Sequence, residues 1–402
     1  MIPVKEALDI IISNATPLDT QTIPVESALT YALVNDVVAD RPLPPFDRVA
    51  MDGFAVRSSD FKGDSVELKR IGEIQTGVES GLEVKPGEAA QIMTGAPCPK
   101  GADAVVKVEN SEIRGNRVKL TEAKMKPGLN IAPMGEDKAK GDLMIEAGTA
   151  LSTTGIAICA SVGLAQVEVY RKPNITVIST GTEIVSPDQV PLDHQIRDCN
   201  SYTIRSMCQR NHLQSRFLGI GQDDPDILGQ MIREGLLSDI LILSGGVSMG
   251  EYDLIPSLLA ENGVHQLIYK VKVKPGKPLW FGKTDSGTFV FGLPGNPVSV
   301  QTCFRIFVEP LIKALSGYHQ PRHSFLKLPL SEDTASKTPR EHYMPGKLRV
   351  RSSGTFIEPV NIRGSGDFSN FVASQGLFCF PADKNLLKAG TLMDFLPWSE
   401  HW

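Results

Sequence analysis

Histidine and cysteine are scarce and scattered in this 402-residue chain. The seven histidines show no HExxH or comparable spacing, and the six cysteines (Cys98, Cys159, Cys199, Cys208, Cys303, Cys379) form no CxxC pair. That excludes a zinc-hydrolase centre, a zinc knuckle and a disulfide framework, and it points to a reducing compartment. A Walker A loop is also missing, so P-loop NTPase chemistry drops out. Neither sign of charge dominates. Lys+Arg of 41 against Asp+Glu of 46 leaves a net charge of −5, without the positive field of a general nucleic-acid binder. Long apolar runs are absent as well. The uncharged stretch Ala147 to Val167 mixes three glycines and five Ser/Thr with only six large aliphatics, which reads as a packed helix and not as a membrane span. Glu6 and Asp9 interrupt the apolar stretch a signal peptide needs, so the N-terminus reads as an amphipathic helix entered through Pro3 and the protein as cytosolic.

What is present is an ordinary folded composition, 41% hydrophobic and 22% charged, long enough for two to four domains at roughly 150 residues each. Gly (36) and Pro (28) are abundant without a period, which favours a loop-rich enzyme or scaffold. Residues 1–45 read as a helix, short strands and the Pro-rich stretch Arg41 to Asp47. From 46 to 140, short alternating runs between Gly/Pro turns predict a small inserted β domain. Residues 141–170 return to helix-compatible sequence and are expected to pack back on 1–45 as a mixed N-terminal domain. From 171 to 320 the rhythm is strand, loop, helix. Strands are expected at Asn174–Ser179, Ser215–Ile220, Asp239–Leu243, Gln266–Val273 and Thr288–Leu293, with helices at Tyr202–Asn211, Pro225–Leu236, Leu254–Glu261 and a long one at Pro297–Ser316. This alternation predicts a mainly parallel sheet with helices on both faces. Residues 321–402 read as a C-terminal β domain. The fold class is thus multidomain, α/β plus β.

Ligands of open parallel sheets bind beyond the carboxyl ends of the strands. Three such ends carry Thr180-Gly-Thr-Glu183, Ser244-Gly-Gly-Val-Ser-Met-Gly-Glu-Tyr-Asp253 and Leu293-Pro-Gly-Asn-Pro297. Glycine lets backbone N–H groups approach an anion, and Asn296 followed by Pro297 is a helix start. Tyr269 to Pro278 is lysine-rich. On a strand Lys270, Lys272 and Lys274 would share one face, guarding a sheet edge, while Lys274 and Lys277, framed by prolines, are candidates for neutralising an oxyanion. Carboxylates complete the set. Asp224 before Pro225 is an N-cap, Asp52 precedes a turn glycine, and Glu183 with Asp253 is a pair suited to Mg²⁺ beside phosphate. Residue by residue, the pattern predicts a chain that binds a phosphorylated or anionic small molecule with Mg²⁺, and it goes no further.

Seven ordered motifs carry a resemblance beyond this. They are Ala50-Met-Asp-Gly-Phe-Ala-Val, Gln91 to Pro97, Gly135-Glu-Asp137, Ser179 to Glu183, Ser244 to Gly250, Lys274-Pro-Gly-Lys-Pro278 and Leu293 to Ser299. Over essentially its whole length the chain resembles the molybdopterin molybdenumtransferases, the MoeA family, similar to the C-terminal domain of gephyrin. The resemblance implies an elongated four-domain subunit in a cytosolic homodimer that inserts molybdate into adenylylated molybdopterin with Mg²⁺, releasing AMP and molybdenum cofactor. It implies catalytic roles for Asp52, Asp137, Asp223, Lys274 and Lys277, and metal binding by Glu183 and Asp253. Substrate binding falls to Thr94, Thr180, Gly181, Ser244, Gly245, Gly246, Ser248, Pro294, Gly295, Asn296, Pro297 and, from the last domain, Ser365. Implied protein partners are the molybdopterin adenylyltransferase and molybdoenzyme-maturation proteins, with neither nucleic acid nor membrane. Thr182 stands where some relatives carry an acid, and Gln375 where the family often has Asn. The alternatives are a molybdopterin adenylyltransferase, against which the long N-terminal region speaks, and a non-catalytic cofactor-binding scaffold, which would not need Glu183, Asp253 and the lysine loop together.

Overall fold

The computed structural model describes residues 1–246 and 254–398. Its centre is a six-stranded sheet in the spatial order Ser215–Gly221, Ile175–Thr180, Ile240–Ser244, Phe289–Leu293, Trp280–Thr284, Val264–Tyr269. The first four strands are parallel, and the last two add on antiparallel. Alternation divides their side chains between two cores. Ile175, Val177, Ile240, Ile242, Phe289 and Phe291 face one layer, where Ile204 and Met207 of the Asn200–Arg210 helix pack. Ile178, Leu241, Leu243 and Val290 face the other, against the Pro225–Gly235 and Ile255–Glu261 helices. Burying each large side chain contributes about 1.5–3 kcal/mol.

The structure adds one strand, shortens another and details the last expected helix. The strand Trp280–Thr284, which buries Trp280 and Phe281, is additional to the expected strands. The strand expected over Gln266–Val273 ends at Tyr269, where Lys270 adopts a left-handed φ of 66°. Lys270, Lys272 and Lys274 therefore do not share one strand face. The long helix expected after Pro297 runs from Pro297 to Leu315, with a π turn over Phe304–Val308 in its middle. Pro310 has no N–H to bond back to Ile306, and the π turn absorbs that loss. Asp224 does cap its helix, accepting hydrogen bonds from the N–H groups of Asp226 and Ile227, both at 3.0 Å.

The amphipathic helix Val4–Ser13 buries Val4, Ala7 and Ile11 in the first of those α/β cores, against the Glu309–Leu315 helix. From Thr20 onward the chain pairs with its later part. Thr20–Pro24 runs antiparallel to Gln166–Tyr170 and Val37–Val38 to Leu143–Ile145. The uncharged stretch contributes the short helix Thr153–Ser161 and the start of the Gln166–Tyr170 strand, and no helix among the described residues is long and apolar enough to cross a membrane. Between these pairings lies a six-stranded sheet ordered Ala104–Lys107, Gly53–Val56, Glu88–Ile92, Ser65–Ile74, Arg117–Thr121, Ser111–Arg114.

The C-terminal sheet is ordered Val273–Lys274, Glu341–Arg351, Gly376–Phe380, Leu392–Pro397, Leu326–Pro329. Its first strand comes from the lysine loop of the α/β part, pairing parallel through Val273 with Glu341 and Lys274 with His342. Tyr343, Phe371 and Leu377 also enter the α/β core. A buried ion network lies beneath. Glu309 accepts hydrogen bonds from Arg305 and, at 3.0 Å, from Arg210, while Arg305 reaches the Pro397 carbonyl at 2.8 Å.

Candidate anion-binding site

The lysine loop is held by what lies under it. Gly276 has a φ of 110°, and a Cβ there would stand 2.3 Å from the Cys303 Sγ, so only glycine lets Lys274–Pro278 lie flat on the Pro297–Cys303 helix. The parallel pairing with Glu341–Arg351 then fixes Lys274 beside His342. Across from it the Asn296 loop is tied to the C-terminal part. Asn296 Nδ2 donates to Ser365 Oγ at 2.9 Å, and the Val298 N–H donates to the Ser365 carbonyl at 3.1 Å. Asp367 folds the Ser365 loop by accepting from the Arg363 N–H at 2.9 Å and from Asn370.

These contacts enclose a cleft of about 520 Å³ between the α/β part and the C-terminal sheet. Lys274, Lys277, Arg340 and Arg363 bring four cations to its lining, and Asn296, Ser299 and Ser365 bring neutral donors. Arg340 is oriented by the Val273 carbonyl at 3.0 Å and the Thr338 hydroxyl at 3.3 Å. Glu332 and Asp333 also reach the lining, with Asp333 paired to Lys388 at 2.7 Å. His342 lines it too, its Nδ1 2.9 Å from the buried Ser336 hydroxyl. Burial, and then the charges of Lys274 and Arg340, push the His342 imidazole down to about 4, so it is neutral at neutral pH. Cations with neutral hydrogen-bond donors are what a small tetrahedral oxyanion needs.

Of the residues named from sequence, Lys274, Lys277, Pro294, Asn296 and Ser365 lie together in this cleft, and Pro297 opens the helix behind it. The other strand ends adjoin. Thr180 Oγ1 donates to the Ser244 carbonyl at 3.3 Å, the Gly245 N–H to the Leu293 carbonyl at 3.1 Å, and Asn200 to the Gly295 carbonyl at 2.7 Å. A Cβ on Gly245 would come within 2.4 Å of the Thr180 carbonyl, so glycine is required where these ends meet. Gly246 follows with a φ of 59°. The Glu183 carboxylate lies over Gly181. Ser248 and Asp253 lie outside the described residues. Asp223 is exposed at the carboxyl end of the Ser215–Gly221 strand and does not line the cleft.

Asp52, Thr94 and Asp137 are elsewhere, in the sheet-rich part of 46–140. Asp52 accepts hydrogen bonds from the Thr94 hydroxyl and the Thr94 N–H, both at 2.6 Å, and these hold its carboxyl below the ordinary value. Asp137 is exposed, its N–H bonded to the Leu43 carbonyl at 2.9 Å. None of the three lines the cleft.

Sequence reasoning missed Arg340, Arg363, His342 and Ser299 as cleft residues, and Asp198 as support. Asp198 is buried and accepts from the Ser179 hydroxyl at 2.8 Å and from the Ser201 hydroxyl at 2.6 Å and N–H at 3.1 Å, fixing the strand that ends in Thr180. An acid before Asn-Ser at a helix start was the available signal.

This arrangement defines a class: multidomain proteins with an α/β sheet whose carboxyl ends meet a C-terminal β unit across an anion cleft. Comparison with known proteins narrows it. Residues 2–163 match the family profile "MoeA N-terminal region (domain I and II)", 176–314 "Probable molybdopterin binding domain", and 327–398 "MoeA C-terminal region (domain IV)". A molybdopterin molybdenumtransferase of Staphylococcus aureus is 32% identical over 98% of this chain and 95% of its own. One from Nostoc is 32% identical over 97% and 92%. The crystal structure of a molybdopterin biosynthesis MoeA protein of Pyrococcus horikoshii superposes with a TM-score of 0.77 at 31% identity over both full chains. The chain belongs to the MoeA family of molybdopterin molybdenumtransferases.

Proposed function

We propose that this protein inserts molybdate into molybdopterin as a step of molybdenum cofactor biosynthesis, with the Lys274–Arg340 cleft as the molybdate site. The observation that carries the reading is the cleft itself. Four cations line it with neutral side-chain donors, among them Asn296, Ser299 and Ser365, in a volume that holds an oxyanion together with part of a larger ligand, next to strand ends whose glycines admit a phosphorylated ligand. The finer reading is that the substrate is adenylylated molybdopterin and that AMP leaves. Its phosphates then lie along the Thr180–Gly181 and Gly245–Gly246 turns, Lys277 at the open rim meets the charge that develops as the AMP link breaks, and Asn296 and Ser365 orient the acceptor.

Mg²⁺ fits the donor chemistry. Glu183 is a hard oxygen ligand over the Gly181 turn, and an ion that uses one or two carboxylates plus substrate phosphates would draw on Glu183 and Asp253. Bound there, it would withdraw charge from the phosphate link. Asp52, Thr94 and Asp137 enter this reading through a symmetric homodimer, in which the 46–140 part of one protomer completes the site of its partner. The same reading gives a cytoplasmic protein of four domains, 1–45 with 141–170, 46–140, 171–320 and 321–402. Its protein partners would be the adenylyltransferase and the proteins that mature molybdoenzymes.

The test is molybdate-dependent AMP release from adenylylated molybdopterin. Wild type should release AMP only with molybdate, and Lys274→Ala and Arg340→Ala should each lose roughly 10²–10³-fold while keeping the wild-type melting curve. AMP release indifferent to molybdate, or formation of adenylylated product from molybdopterin and Mg-ATP, would replace this reading with the adenylyltransferase one.

A further inference from the structure

His342 is the one imidazole among the described residues of the cleft lining. Its position is set three ways. Its strand pairs in parallel with Lys274, its other neighbour across the sheet is Phe380, and its Nδ1 is engaged by Ser336, whose own N–H is bonded to Asn385 at 3.1 Å. Glu341 and Tyr343 alternate to the opposite face of that strand, where Glu341 meets the Cys379 thiol at 3.8 Å. The charged groups sharing the cleft with the ring are Lys274 and Lys277 from the lysine loop, Arg340, Glu332 and Asp333 from the preceding segment, and Arg363 from the Ser365 loop. The Asn296–Ser299 helix start adds none.

Ser336 occupies one nitrogen, so the Nε2 edge is what the ring has left to offer a ligand. Resting on the cleft as the anion site, we infer that His342 is a binding residue for the oxyanion, donating Nε2–H to an anion oxygen and taking up a proton from solvent as the dianion arrives. The physical cause is a change in the sign of its surroundings. Without ligand it faces the Lys274 and Arg340 charges, which oppose a third positive charge. A dianion seated between them outweighs that repulsion and favours the imidazolium. The proton goes to the nitrogen not held by donation, leaving both ring nitrogens as N–H and the Ser336 oxygen as acceptor. No bond to the anion forms or breaks. Binding and protonation then assist each other, and affinity rises as pH falls between the free and bound pKa values, by up to about tenfold per unit. Fully deprotonated tetrahedral dianions are the ligands favoured.

Calorimetric titration of the full-length protein with molybdate, and with sulfate as a dianion that stays unprotonated, tests this at about pH 6 in two buffers of different ionisation heat. The expected result is uptake of a sizeable fraction of a proton per anion by wild type and none by His342→Gln, which keeps a donor but cannot titrate. Long-range nitrogen–proton NMR of the wild-type imidazole, with and without molybdate, reads the same event without a variant. It should show His342 moving to the doubly protonated form. Buffer-independent heats in wild type, a neutral ring in the bound state, or undiminished uptake in a folded His342→Gln overturn the inference. If molybdate binds wild type and Lys274→Ala abolishes binding without proton uptake, only this inference falls. If wild type binds neither anion, the cleft reading falls with it.

Discussion

Single atoms decide two features of this molecule. The Asp52 carboxyl owes its low pKa first to the Thr94 hydroxyl and then to the Thr94 N–H. A carboxyl lowered in the folded state contributes stability above its unfolded pKa, and that contribution is lost as pH falls through the folded value. Thr94→Val removes the hydroxyl bond alone, so the Asp52 pKa should climb toward its ordinary value, read from its carboxyl carbon in an NMR titration; an unmoved pKa would mean the hydroxyl bond does not form in solution. Gly276 is the second case. A side chain there meets both a left-handed φ and the Cys303 sulfur. Gly276→Ala should cost roughly 2–5 kcal/mol, about 1–2 from the backbone and about 1–3 from overpacking. Adding Cys303→Ala should recover the overpacking share in urea denaturation, and a double variant no more stable than the single would place the strain elsewhere.

Among the elements, the helix from Pro297 to Leu315 carries a buried ion pair. Arg305, on its π turn, and Glu309, at the start of its second half, are both nearly inaccessible to water. Replacing Glu309 by Leu removes the carboxylate that Arg305 and Arg210 share in this buried network and should cost about 3–5 kcal/mol. A fall of less than about 1 kcal/mol in denaturation would show that the network adds little. Elements also explain how far the sequence could be read. Loops after strands were legible because glycine and proline punctuate them, so Thr180, Gly245 and Asn296 could be placed at strand ends from spacing alone. The Asp224 cap was legible for the same local reason. Arg340 and His342 were not, because nothing within Thr338-Pro-Arg-Glu-His says that this strand will pair with Lys274, nearly seventy residues earlier. The antiparallel strand at Trp280 was hidden because its partner choice, and not its composition, makes it a strand.

At the scale of the molecule, Asp52, Thr94 and Asp137 lie in the 46–140 part, apart from the cleft that holds Lys274, Lys277, Asn296 and Ser365. If the second protomer unites them, mixing an Asp52→Ala chain with a Lys274→Ala chain should restore activity to about a quarter of wild-type sites at random exchange, since half the dimers are mixed and each has one intact site of two. Demonstrated exchange with no recovery would confine each site to one chain. The two-residue strand Val273–Lys274 has a consequence of another kind. It leaves the central sheet as a loop and serves the C-terminal sheet as an edge strand, so the last eighty residues are not a detachable cassette. A chimera grafting the C-terminal part of a relative onto this chain at residue 320 would place a foreign Arg340–His342 segment against the native Lys274. Recombination between relatives should therefore succeed only where the lysine loop and its distant partner strand are inherited together.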